Sequence, residues 1–119
     1  MAFRFEQLQI WQDAISFTNS IYTITKTFPP AERFSLVDQL RRAASSIAAN
    51  IAEGSGSSSK KDFSHFLDIA IKSTYETVSH LVIAKEQKYI SIESYNEFYE
   101  LADRLSRKIR AFKSSLLKL

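Results

Sequence analysis

Glu76 and His80 stand one helical turn apart and could offer a carboxylate and an imidazole to one metal ion. Catalytic zinc normally takes three protein ligands, and spacing supplies no third. His65, the other histidine, lies about fifteen residues away, roughly 22 Å along a helix, so the two cannot share an ion. An exposed i,i+4 pair is the simpler reading of Glu76 and His80. The chain has no cysteine, which removes thiol nucleophiles, disulfides and cysteine-ligated zinc. Serines are plentiful, yet none sits in a nucleophile elbow or beside an evident histidine partner. The Ser55-Gly56-Ser57-Ser58-Ser59 run lacks the Walker spacing and the preceding strand of a phosphate loop. No catalytic residue, metal or cofactor is therefore expected, and the chain reads as a non-enzyme.

Binding chemistry is better represented. Between Asp62 and Asp103 there are eight acids against three bases, whereas Arg104, Arg107, Lys108, Arg110, Lys113 and Lys118 follow with no acid among them. Such asymmetry can mark a nucleic-acid surface. It is also the order the helix macrodipole prefers, with Glu100–Arg104 and Asp103–Arg107 as favourable i,i+4 pairs. Repeated around an oligomer, a modest patch becomes a continuous basic band, which Lys60 and Lys61 could join through the serine-rich loop. RNA or DNA is then the expected partner, held by phosphates. Base stacking is not expected, because most aromatics lie on apolar stripes or beside them. A protein–protein adaptor that binds no nucleic acid is the alternative.

A third group of residues is polar among small neighbours. The run from Arg41 to Gly54 is almost wholly Ala, Ser and Ile, with Asn50 and Glu53 near its end. Small side chains let another helix approach closely, and a buried amide needs partners. Asn50 and Glu53 are read as a hydrogen-bonded pin that fixes bundle register, with a ligand or RNA-base contact as the other reading. Glu76 is assigned the same structural role, paired with Arg41 or Arg42.

The elements that must hold these groups are helical throughout. At 119 residues the chain is one domain, 1–119, with a single core. Ile10, Ala14, Phe17, Ile21, Ile24 and Phe28 recur at helical spacing and predict a helix over about 6–27, stopped by Pro29-Pro30. A second helix over about 36–53 has Ser35 as its cap and Gly54 as a left-handed stop. The third, about 60–88, is capped by Ser59 with Asp62, and the fourth, about 92–118, by Ser91. Tyr95, Phe98, Ala102, Leu105, Ile109, Phe112, Leu116 and Leu119 keep a heptad along the fourth. Short connections make this an all-α, up-down-up-down antiparallel four-helix bundle.

Two features argue for self-association. Ile71, Tyr75, Val78 and Val82 form a second apolar stripe on the third helix, rotated from the core stripe by roughly 100°. The third and fourth helices also outreach the second by roughly 15 Å, which would expose apolar ends in a lone monomer. No apolar run approaches a membrane span or a signal peptide, so a soluble, cytoplasmic oligomer is expected.

Ser46-Ile47-x-x-Asn50-Ile51-Ala52-Glu53-Gly54 resembles the signature of small bacterial four-helix-bundle proteins encoded in intervening sequences of 23S rRNA genes. The likeness extends upstream through Phe5-x-x-Leu8-x-x-Trp11-x-x-Ala14, Phe28-Pro29 and Leu36-x-x-Gln39-x-Arg41-Arg42-Ala43. Downstream it takes in Phe63-x-x-Phe66-Leu67-x-Ile69-Ala70 and Ser73-x-x-Glu76, so it spans nearly the whole chain. The resemblance implies a ring-like homopentamer. It also implies contact with nucleic acid or with a protein such as a reverse transcriptase, since a close relative is the accessory protein of diversity-generating retroelements. Lys72 departs from the family, which usually has glycine before Ser73, and this bears on how closely a neighbour approaches the third helix.

Overall fold

The computed structural model describes residues 2–118. Helices α1 (Gln9–Thr25), α2 (Leu36–Ser55), α3 (Lys60–Glu86) and α4 (Ile92–Lys118) are joined by short connections, with 3-10 turns at Arg4–Gln7 and Pro30–Glu32. No strand occurs among the described residues. Cross-helix pairs give the directions. Thr18 reaches Ala44 while Arg41 reaches Tyr22 and Thr25, so α1 and α2 run opposite ways. Lys85 lies over Tyr95 while Phe63 meets Phe112, which makes α3 and α4 antiparallel. Helices adjacent in sequence pack side by side, and α1 closes onto α4 more loosely.

The periodic stripes supply the core. Ile21, Leu40, Ile47, Ile51, Leu67, Leu81 and Ile109 are fully buried, and each side chain contributes about 1.5–3 kcal/mol of apolar burial. On α4 the heptad is followed closely: Phe98, Ala102, Leu105, Ile109 and Leu116 are buried, and Tyr95 and Phe112 pack against them. Leu119 lies outside the described residues.

Several expected ends move, each for a local reason. α1 begins at Gln9 because Leu8 is extended, and the preceding 3-10 turn lays Phe5 against Trp11 with ring centroids 4.8 Å apart. Arg4 on that turn lies over the Phe63 ring at 5.2 Å. Ser35 does not cap α2; its hydroxyl donates to Glu32 Oε1 at 2.6 Å. Ser59 and Ser91 do cap, accepting from the amides of Asp62 at 3.1 Å and Ser94 at 3.0 Å.

Gly54 is no left-handed stop either. It lies inside α2, buried, and a Cβ there would sit 2.7 Å from Phe63 Cδ1 and 2.8 Å from Phe66 Cβ. Its role is close approach. The left-handed residue belongs instead to α3, which ends at Glu86 with Lys88 at φ 64°. The amides of Lys88 and Tyr89 return to Lys85 O and Ala84 O, both at 2.9 Å, completing a Schellman closure without glycine.

The overhang of α3 and α4 is covered more than the helix lengths suggest. Residues 28–35 fold across it: Phe28 packs against Tyr89 at 5.5 Å, and the Tyr89 hydroxyl donates to Glu32 Oε2 at 2.8 Å. Phe28, Leu36 and Ile90 are buried there, while Phe34, Ile83 and Ile92 stay exposed.

Candidate functional site

The basic half of α4 is exposed but largely engaged within the chain. Arg107 pairs with Asp103 at 2.5 Å, Lys108 with Asp13 on α1 at 3.0 Å, and Lys113 with Asp68 on α3 at 2.6 Å. Arg110 donates to the Tyr75 hydroxyl at 2.9 Å and lies beside its ring. Of the two i,i+4 pairs expected here, Asp103–Arg107 forms and Glu100–Arg104 does not. Arg104, Arg110 and Lys118 have no carboxylate partner among the described residues. Arg104 borders a groove of about 210 Å³ between α1 and α4, with Asp13, Phe17, Leu101 and Lys108 around it. The bases fan out to both sides of α4, as their helical spacing requires. Lys60 and Lys61 are exposed in the first turn of α3, where the macrodipole disfavours cations.

The polar pin is built differently from the expectation. Asn50 is half-buried, and its amide stays within α2, donating to Ser46 O at 2.8 Å and Ser46 Oγ at 3.0 Å. The crossing to α3 is made by two serines, Ser46 Oγ and Ser73 Oγ, 2.9 Å apart. Lys72 is exposed, so the residue that replaces the family's glycine leaves this contact intact. Glu53 and Glu76 are exposed, and Glu76 faces His80 at 3.4 Å with no arginine. Arg42 pairs with Asp38 at 2.8 Å. Arg41 donates to Thr25 Oγ1 at 3.0 Å and Tyr22 O at 3.3 Å, and stacks over the Tyr22 ring. Half of the signal for the serine pair is legible in the sequence: Ser46 sits in the small-residue run of α2, but Ser73 has Ile69, Ala70, Glu76 and Thr77 as its neighbours on the helix face.

The second stripe of α3 divides. Ile71 is only 7% exposed and belongs to the core, Val78 and Val82 are half-buried, and Tyr75 is 63% exposed. Tyr75 and Val78 line an outer groove of about 230 Å³ between α3 and α4, completed by Tyr99, Ala102 and Asp103. Tyr99, 51% exposed, was not a candidate on sequence grounds, since it sits one residue off the heptad.

Among the described residues no three His, Asp or Glu side chains gather to hold a metal ion. No helix among them is long and apolar enough to cross a membrane. The ionisable groups whose environment shifts them lie in the α1–α2 connection and just before the start of α4, not in its basic half. Hydrogen bonds from Ser35 and then Tyr89 hold the Glu32 carboxyl below its ordinary range. The hydrogen bond that the Tyr89 hydroxyl donates to the Glu32 carboxylate pushes the Tyr89 phenol up.

The family model of the 23S rRNA-intervening sequence protein matches residues 6–111. The chain belongs to this family. No curated protein matches it. One solved structure similar to it is a protein of unknown function from the S23 ribosomal protein family of Bacteroides thetaiotaomicron. The two share 24% identity with a TM-score of 0.78, over 87% of this chain and 97% of that one. At that identity the likeness concerns the fold. Within the family model lie the serine crossing, the Gly54 contact and every α4 base through Arg110; Lys113 and Lys118 fall beyond its end.

Proposed function

We propose that this family member is a non-enzymatic, self-associating helical scaffold that binds the backbone of RNA or DNA, alone or within a nucleoprotein. The observation that carries the reading is the basic half of α4, where among the described residues six bases meet three carboxylates, and Arg104, Arg110 and Lys118 have no carboxylate there. Exposed ion pairs are worth at most about 1 kcal/mol, so Arg107, Lys108 and Lys113 can exchange a carboxylate for a phosphate at little cost. Phosphate contacts fix position and carry little sequence information, which fits a surface without base-reading side chains. Lys60 and Lys61 extend the same field from the start of α3. Self-association through the outer face of α3 and α4 multiplies this charge, and a ring-like homopentamer is the arrangement proposed for it.

The purified protein offers the test. Co-purifying nucleic acid should raise its ultraviolet absorbance ratio, and a high-salt wash should restore the protein value. A clean preparation that fails to retard RNA at low salt would remove the nucleic-acid half of the proposal.

A second reading has one observation in its favour. Because Arg107, Lys108 and Lys113 are neutralised within the chain, α4 could serve stability alone, with the outer groove as the working surface of a protein–protein adaptor. A protein such as a reverse transcriptase would then be the partner, and binding would depend little on salt.

A further inference from the structure

Beside Arg104 the seam between α1 and α4 stays open, and its groove of about 210 Å³ has two unlike walls. The α4 wall is cationic: Arg104 and Lys108 stand one helical turn apart, both exposed. The α1 wall is neutral and polar: Ser16 and Ser20 have the same spacing and are also exposed. Between them lie Phe17 and Leu105, both buried, with Leu101 41% exposed at the edge. Asp13 is the carboxylate on this lining, and it is already engaged. Its Oδ1 accepts from Gln9 Nε2 at 2.8 Å and its Oδ2 from Lys108 Nζ at 3.0 Å. Arg104 is left as the uncompensated charge of the groove.

The walls sort what can enter. A guanidinium presents a planar fork of donors that meets a phosphate in two parallel bonds. Serine hydroxyls carry no charge and both donate and accept. Ser20 Oγ donates to Ser16 O at 3.2 Å, which leaves its lone pairs for a hydroxyl on a ligand. The floor offers no stacking face, because Phe17 is 4% exposed and its ring meets Phe98 edge-on at 6.2 Å. Apolar contact is therefore with aliphatic carbon, not with a base. Phosphate, hydroxyl and sugar carbon together are the repeating unit of an RNA backbone. DNA supplies the first and the last, and would leave the serines against a methylene. Glu97 and Glu100 are exposed toward the start of α4 and repel phosphate there, so a strand leaves the groove toward the basic end.

We infer that the α1–α4 groove seats one ribose-phosphate unit of RNA, the phosphate on Arg104 and the 2′-hydroxyl on Ser16 and Ser20, so that the protein prefers RNA to DNA. This rests on the nucleic-acid part of the proposed function and adds which nucleic acid is held and where. The 2′-hydroxyl is the group by which a protein tells the two apart. Lys108 keeps its bond to Asp13 and closes the groove at one end, while Arg104 carries the charge contact.

Fluorescence anisotropy with one labelled single-stranded sequence, made as RNA, as DNA and as 2′-fluoro RNA, provides the test. The fluoro form keeps the sugar pucker of RNA without its hydroxyl, which separates hydroxyl recognition from backbone shape. The wild type should bind RNA about fivefold tighter than either other form, the scale of one net hydrogen bond. Ser16→Ala combined with Ser20→Ala should bring RNA down to the DNA value and leave DNA binding and its salt slope unchanged. Arg104→Gln should weaken all three forms alike and lower the slope by roughly 0.7–0.9. All three positions are exposed, and circular dichroism should show unchanged helix content. Equal affinity of the wild type for RNA and DNA would overturn the groove assignment while leaving phosphate binding standing. So would a preference that survives in the double serine variant or extends to the fluoro form. A wild type that binds none of the three at low salt would remove both.

Discussion

The α2–α3 seam and the outer α3–α4 groove use the same helix for opposite ends. On the α2 side, Gly54 and Ser46 let α3 come close enough that a methyl at Gly54 would collide with Phe63 and Phe66, and two serines meet in the middle. On the other side, Tyr75 and Tyr99 stand apart around open space. A seam of small residues leaves no room for a ligand. A seam of large exposed aromatics leaves an apolar surface in water, which persists where something else covers it.

The largest expected effect follows from the tight side. Gly54→Val should cost roughly 3 kcal/mol, because overpacking a closed seam forces backbone and ring shifts. Tyr99→Ala, on the open side, should change monomer stability by no more than about 0.5 kcal/mol. Denaturant unfolding at a concentration below assembly checks both, and equal costs would erase the distinction between the seams.

A smaller effect separates the serine crossing from Asn50. Ser73→Ala should destabilise by about 1 kcal/mol, the usual net value of a hydrogen bond lost at a site where the partner can relax. Asn50→Leu should leave the assembly mass unchanged, since the Asn50 amide bonds within its own helix. A change of oligomeric state in that variant would return the register role to Asn50.

The smallest effect concerns pH and the clasp beneath Phe34. Glu32 has its folded value lowered, so its contribution is present above the ordinary carboxylate range and lost as pH falls through the lowered value. Tyr89 has its folded value raised, so its contribution is present below about pH 10 and lost as pH rises through the raised value. Glu32→Gln should flatten the acid limb of a stability–pH profile, and Tyr89→Phe the alkaline limb, with the Phe28 packing retained in both. An unchanged acid limb in the Gln variant would mean that the clasp is held by ring packing alone.

Four helices, their order and most of the core were legible because apolar residues recur at helical spacing from Ile10 to Leu116. The ends were less so. Gly54 reads equally well as a stop or as a close contact, and only the position of Phe63 and Phe66 decides. Ser35 has the right type and place for a cap, but Glu32, three residues back, offers its hydroxyl a charged acceptor. For the candidate site, the basic run on α4 was plain while its neutralisation was not. Asp13 lies 95 residues from Lys108 and Asp68 lies 45 from Lys113, and no local spacing announces such pairs. Ile71 is buried and Tyr75 is exposed although one helical turn separates them, a difference that periodicity alone does not announce.

The central claim is that the unmatched cations of α4 meet nucleic-acid phosphates, and the salt dependence of RNA binding tests it most directly. Binding by the wild type should weaken by orders of magnitude between about 50 and 200 mM salt, linearly on logarithmic axes. Arg104→Gln, Arg110→Gln and Lys118→Gln together should lower that slope by about 2, since each lost phosphate contact removes roughly 0.7–0.9. The same number of charges removed at Arg107, Lys108 and Lys113 should lower it less. A slope near zero in the wild type, or equal slopes in both triple variants, would contradict the account.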